Sequence, residues 1–118
     1  MSKNYKVPDH IFPPAVCSLP KANIPIDGCT AYLAQEKNNQ ILYMHFEKDV
    51  LLPEHTHKAQ WGIVLEGQIE LTANGITKTY YKGDRYYIPE NTVHCGKIFA
   101  GYADMTFFNE ADRYEAKI

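Results

Sequence analysis

Turn-forming residues cut residues 29–108 into short runs, a spacing that admits strands but no long helix. Residues 31–35 form the first β-type run, and Lys37-Asn38-Asn39 supplies a turn. Residues 41–47 follow, with Leu42, Met44 and Phe46 on one face and Tyr43, His45 and Glu47 on the other. A further run ends at Glu66-Gly67. Residues 68–73 alternate with Ile69 and Leu71 inward, and Asn74-Gly75 is the strongest short hairpin signal in the chain. Residues 77–81 return, Lys82-Gly83-Asp84 turns, residues 85–88 form a short strand, and Pro89 stops it. Residues 98–108 read as one last long β run. This pattern predicts an all-β sandwich or small barrel.

The two ends read differently. Pro8, Pro13, Pro14, Pro20 and Pro25 remove backbone donors and fix φ. Residues 1–28 are therefore expected to be an extended, irregular arm laid over the domain or over a neighbouring subunit. Residues 110–117 read as one brief helix. A chain of 118 residues has no room for a second core, so residues 29–118 form a single barrel domain.

Net charge is −2, and no stretch gathers enough Lys and Arg to neutralise a run of phosphates, so nucleic acid is not an expected partner. The longest aliphatic runs, such as Ile63-Val64-Leu65, fall far short of a bilayer span. The segment MSKNYKVPDH lacks the apolar core and cleavage site of a secretory signal. A cytoplasmic location without membrane contact is the expectation. Cys17, Cys29 and Cys95 are odd in number and irregularly spaced, and they read as small buried hydrophobes. Nine Tyr, five Phe and one Trp suit a β core and a walled cavity. Sheet edges need cover, and a homodimer using the arm and the Tyr-rich strands is expected.

Three of the five histidines carry the chemical signal. His55 and His57 form an HxH pair, and residues two apart in a strand face the same side. A later β segment folding back would deliver His94 opposite them. Imidazole suits Fe, Mn, Co, Ni, Cu or Zn, with open positions for water or substrate. His10 and His45 have no such partners, and His45 reads as a solvated residue on the polar face of its strand.

The stretch Pro53-Glu54-His55-Thr56-His57-Lys58-Ala59-Gln60-Trp61-Gly62-Ile63-Val64-Leu65-Glu66-Gly67 resembles the first motif of the cupin superfamily. The stretch Gly83-Asp84-Arg85-Tyr86-Tyr87-Ile88-Pro89-Glu90-Asn91-Thr92-Val93-His94 resembles the second. The resemblance implies a small single-domain cupin, an RmlC-like jelly-roll β-barrel with a divalent metal (Fe, Mn, Ni, Co or Zn) inside. The ligands carried over are His55, His57 and His94. The usual acidic ligand is missing. Counting back from Gly67 its place falls on Gln60, whereas counting forward from His57 Gln60 comes one residue early. Gln60 points inward only if Lys58-Ala59 makes a turn or bulge that resets the alternation. Otherwise it hydrogen-bonds from outside the ligand set, and water completes the site.

Three imidazoles and an amide, all neutral, leave the charge of a divalent ion uncompensated, and apolar walls screen it poorly. Such a site attracts a small anion, which the metal polarises as a Lewis acid. The first functional expectation is an enzyme for a small oxygen-rich anion, a sugar acid or keto acid, working by proton transfer and isomerisation through a stabilised enolate. An Fe(II)-dependent dioxygenase, a non-catalytic binding module for sugars or small anions, and a metal-free structural barrel are the alternatives. Small cupins with a His-His-Gln-His set that linearise unsaturated uronates are similar in size. Their acidic catalytic residue falls here on Thr106, and their arginine is displaced, at Arg113. Tyr43, Tyr87, Tyr102 and Asp104 are the acid–base candidates by residue class, with no assignment among them.

Overall fold

The computed structural model describes residues 7–117. Nine strands follow one short helical turn, α1 (Pro14–Cys17). They are β1 (Cys29–Gln35), β2 (Gln40–Phe46), β3 (Val50–His55), β4 (Gln60–Glu66), β5 (Gln68–Ala73), β6 (Ile76–Tyr81), β7 (Arg85–Ile88), β8 (His94–Ile98) and β9 (Ala103–Phe108). A five-stranded sheet runs β1-β2-β9-β4-β7 and a four-stranded sheet runs β3-β8-β5-β6. All named pairings are antiparallel. The result is the expected jelly roll.

Alternation explains which sheet faces are buried. Leu42, Met44, Phe46 and Val64 from the first sheet pack with Ile69, Leu71 and Ile98 from the second in one core. The hairpin between β5 and β6 turns at Asn74 and Gly75, both at positive φ (53° and 75°), the geometry that a two-residue type I′ turn requires.

Two segments depart from the sequence reading. Residues 98–108 are not one run. Gly101 takes a φ of 91°, and the chain leaves β8 in one sheet to enter β9 in the other. Residues 110–117 form no helix. Their backbone bends at residues 110–111 and 113–114 and is then tied down, with Ala116 bridged to Ala22 and Lys117 N–H donating to Lys21 O. The buried Gln40 amide grips Tyr114 on both sides: its Nε2 donates to Tyr114 O, and its Oε1 accepts from Tyr114 N–H. Tertiary hydrogen bonds override local helix preference.

The first six residues of the expected arm lie outside the described residues. Residues 7–19 contribute Phe12, Val7, Ile11, Val16 and Leu19 to a second cluster on the outer face of the first sheet, around Tyr32 and Ala103. This cover buries the polar face of β2. His45, expected in solvent, is 5% exposed, and burial lowers its pKa. Further on, Ile24 and Ile26 pack against the main core. Cys17, expected inside, is exposed, while Cys29 and Cys95 are half-buried. No helix among the described residues is long and apolar enough to cross a membrane.

Candidate metal centre

Strand pairing brings the histidines together. β3 and β8 are antiparallel neighbours, and His55 at the end of β3 lies directly across from His94 at the start of β8. His57 stands beyond the strand, in the connecting segment 56–59, so the HxH pair does not share one regular strand. The ring centroids are 4.1 Å apart for His55 and His94, 4.7 Å for His57 and His94, and 5.2 Å for His55 and His57. One ligand atom from each ring lies within 4.8 Å of the others, an arrangement able to hold a metal ion.

The hydrogen bonds decide which ring nitrogen is available. His55 Nδ1 is 2.8 Å from Pro53 O, His57 Nδ1 is 2.6 Å from Lys58 O, and His94 Nδ1 is 2.9 Å from Thr92 O. A carbonyl oxygen has no proton to give, so each Nδ1 is the donor. In the neutral ring Nε2 then keeps its lone pair. Three rings in the same tautomer, each braced by a local backbone carbonyl, leave all three Nε2 atoms available to a metal.

Burial reinforces this state. It is the main cause that holds His57 down to about 4, and it also lowers His94. The Arg113 guanidinium pushes both in the same direction. For metal-free protein we expect the His57 ring signals in a two-dimensional NMR titration to stay those of neutral imidazole down to about pH 4. Between that value and the ordinary 6.5 the unfolded chain binds more protons at this residue than the folded one. The His57 contribution to stability therefore diminishes as pH falls through that window. A midpoint at or above 6.5 contradicts the geometry.

Gln60 opens β4, after the bend at Lys58 breaks the strand. The alternation restarts there, and Gln60 shares the inward face with Gly62 and Val64. Its Nε2 donates to Thr106 Oγ1 (3.0 Å), and that hydroxyl donates to Trp61 O (3.2 Å). The Thr106 proton being committed, the amide nitrogen faces Thr106 and the amide oxygen is directed elsewhere.

All four residues line a cavity of about 260 Å³ whose remaining walls are mostly apolar, Ile24, Phe46, Leu52 and Ile88 among them. That is slightly below the range of about 300–1,000 Å³ usual for drug-sized ligands, so the occupant is small. Arg113 also lines this cavity, with its guanidinium over the rings of Tyr114 (4.8 Å) and Phe108 (5.8 Å) and its buried Nε without a hydrogen-bond partner. Its displacement in sequence therefore does not remove it from the site. Among the acid–base candidates, Asp104 lines the cavity and Tyr102 donates to it, whereas Tyr43 packs under the arm against Phe12 and Tyr87 points outward, 61% exposed. Tyr86 is a residue that sequence reasoning passed over. It is buried and donates to the same carboxyl.

A family model described as the cupin domain matches residues 42–108. The chain belongs to the cupin family. Among solved structures, an RmlC-like cupin from Shewanella frigidimarina is similar at 19% identity with a TM-score of 0.69, over 80% of this chain and 86% of that one. KdgF from a Halomonas species is 19% identical with a TM-score of 0.65, over 77% of this chain and 87% of its own. Oxalate decarboxylase of Bacillus subtilis, a protein described with Mn(II) centres, is 19% identical with a TM-score of 0.66; the match covers 78% of this cupin but 28% of that chain. No protein of curated function matches the sequence at a significant level. At this identity the likenesses establish the fold alone.

Proposed function

We propose that this cupin is a metal-dependent enzyme that takes a small anionic, oxygen-rich substrate, a sugar acid or keto acid, into the barrel and isomerises it by proton transfer. The observation that carries the reading is the convergence of three Nε2 lone pairs with a guanidinium in one small, largely apolar cavity. His55, His57 and His94 would hold a divalent metal (Fe, Mn, Ni, Co or Zn), and the Gln60 amide oxygen would complete the set. A bound metal supplies Lewis acidity beside the substrate carbonyl. The protein supplies the rest. Arg113 offers its unpartnered Nε–H to the anionic end of the substrate, and stacking on Tyr114 and Phe108 holds the guanidinium in place. The apolar walls exclude water and keep these charges strong. A neutral ligand set favours an anion over a neutral guest.

Fe(II)-dependent dioxygenation remains the second reading, because the same donor set accepts iron. Oxygen uptake by iron-loaded protein with diketone or phenolic substrates separates the two. A homodimer working in the cytoplasm completes the proposal.

Elemental analysis of protein purified without added metal should find about one transition-metal ion per chain. Calorimetric titration of zinc-loaded protein with acetate and pyruvate should then show binding, weakened about tenfold or more in Arg113→Gln, the scale of one charge-assisted hydrogen bond. Unchanged anion affinity in that variant removes Arg113 from the site, and absence of binding to the wild type ends the reading.

A further inference from the structure

Deep in the barrel lies a carboxyl group that the metal site leaves unused. Asp104 is 3% exposed, yet it lines the same cavity as the histidines. Its Oδ2 accepts from Tyr102 Oη (2.6 Å) and from Tyr86 Oη (3.2 Å). Its Oδ1 is buried and has no partner. A buried carboxylate oxygen without a donor costs stability, and a ligand that supplies one recovers it.

Three further features show that this is a constructed arrangement. Tyr86 belongs to β7, the edge of the five-stranded sheet, and its ring crosses β4 to reach β9. The crossing is open because β4 carries Gly62 at that point. A Cβ there would stand 2.5 Å from Tyr86 Cζ and 2.7 Å from its hydroxyl. The two phenol oxygens are also 3.4 Å apart, so both tyrosines converge on one carboxyl.

Position along β9 sets the spacing from the histidines. Phe108 packs against His57, Thr106 accepts from Gln60, and Asp104 comes next on the same inward face. Four residues of strand separate Asp104 from Phe108 by about 13 Å. The cavity therefore has two polar regions, one of histidine, Gln60 and guanidinium and one of carboxyl and phenol, with Thr106 between them along β9.

We propose that Asp104, clamped by Tyr86 and Tyr102, is a second polar subsite that binds a neutral hydroxyl of the ligand whose anionic end sits at the histidine cluster. The inference rests on the metal-site reading for that anionic end and adds the ligand's other half. The class it selects is a hydroxylated monocarboxylate several carbons long. A dicarboxylate of equal length would bring a second negative charge against Asp104. Burial lifts the Asp104 carboxyl to about 7, opposed by the two tyrosine hydroxyls. The groups facing it from the neighbouring elements hold their protons at neutral pH: Tyr86, Tyr102 and Tyr114 are all shifted upward, and Cys29 on β1 is pushed up to about 12. A hydroxyl donating to Oδ1 stabilises the ionised form that accepts it.

The test is calorimetric titration of zinc-loaded protein with four probes: D-gluconate, hexanoate, adipate and acetate. Gluconate should bind about tenfold or more tighter than hexanoate, the effect of one hydrogen bond to a charged acceptor, and adipate should bind no better than hexanoate. Asp104→Leu should erase the preference for gluconate while leaving acetate binding unchanged. Should that variant fail to fold, Tyr102→Phe keeps the carboxyl but loses its shorter hydrogen bond, and should reduce the preference about threefold. Equal affinity for gluconate and hexanoate in the wild type overturns the subsite and leaves the metal-site reading standing, as does a preference that survives Asp104→Leu. A wild type that binds none of the four probes, acetate included, overturns the metal-site reading and the subsite with it.

Discussion

Replacing His94 with alanine is expected to abolish metal binding, measured as metal per chain after dialysis of the loaded protein. His94 is buried and sits directly across from His55, so its loss takes away the ligand that joins the two strands at the site. The backbone tolerates the change, because alanine at the start of β8 keeps every ladder hydrogen bond. The loss should exceed the roughly 10- to 100-fold that removal of an outer hydrogen-bond partner costs. Gln60→Ala in the same assay discriminates between its two roles. A loss as severe as that of His94→Ala makes the amide a ligand. A loss confined to about 10- to 100-fold makes it a support that orients the site through Thr106. Retention of one metal per chain in His94→Ala would refute the centre.

Gly96→Ala should be the most damaging single-methyl change in the barrel. A Cβ at this position would lie 2.4 Å from the backbone oxygen of Glu70 and 3.1 Å from Leu71 Cδ2. Glu70 belongs to β5, which is hydrogen-bonded to β8 through Glu70↔Lys97 and Leu71↔Gly96, so the obstacle cannot rotate aside as a side chain would. Relief requires β8 to move away from β5, straining the ladder two residues from His94. Overpacking of this kind costs about 1–3 kcal/mol, and contact with backbone places this case at the upper end. A lowered urea midpoint with an unchanged slope would show it. Wild-type stability in the variant would mean that the two strands are less closely apposed than described.

The sequence made the histidines legible for a specific reason. An HxH pair and a later histidine, each framed by glycine and proline at fixed intervals, mark two ends of strands that must meet. The inward Gln60 was legible only as a condition, because alternation alone cannot say whether residues 58–59 bend. Arg113 was obscured because the segment carrying it is placed by Gln40 and Ala22, which are remote in sequence. The Tyr86–Asp104 contact spans two strand-to-strand steps, and it depends on the missing side chain of Gly62. No periodicity encodes that. Residues 98–108 read as one run because the turn itself carries apolar Phe99, Ala100 and Tyr102, so hydrophobic pattern is silent about a change of sheet; Gly101 is the available signal. His45 looked solvated because a strand's outer face is normally wet, and here the arm covers it.

One wall of the cavity is not strand at all. Ile24 and Ile26 belong to an irregular stretch anchored by bridges from Lys21 to Tyr32 and from Ala22 to Ala116. Strand residues that face the cavity are constrained by pleat, register and packing neighbours, the histidines among them. A connecting stretch carries no such obligation. Guest size and reactivity are thus decoupled in this scaffold: the panel at Ile24 and Ile26 is open to evolutionary or engineered resizing while the machinery beside it stays as it is.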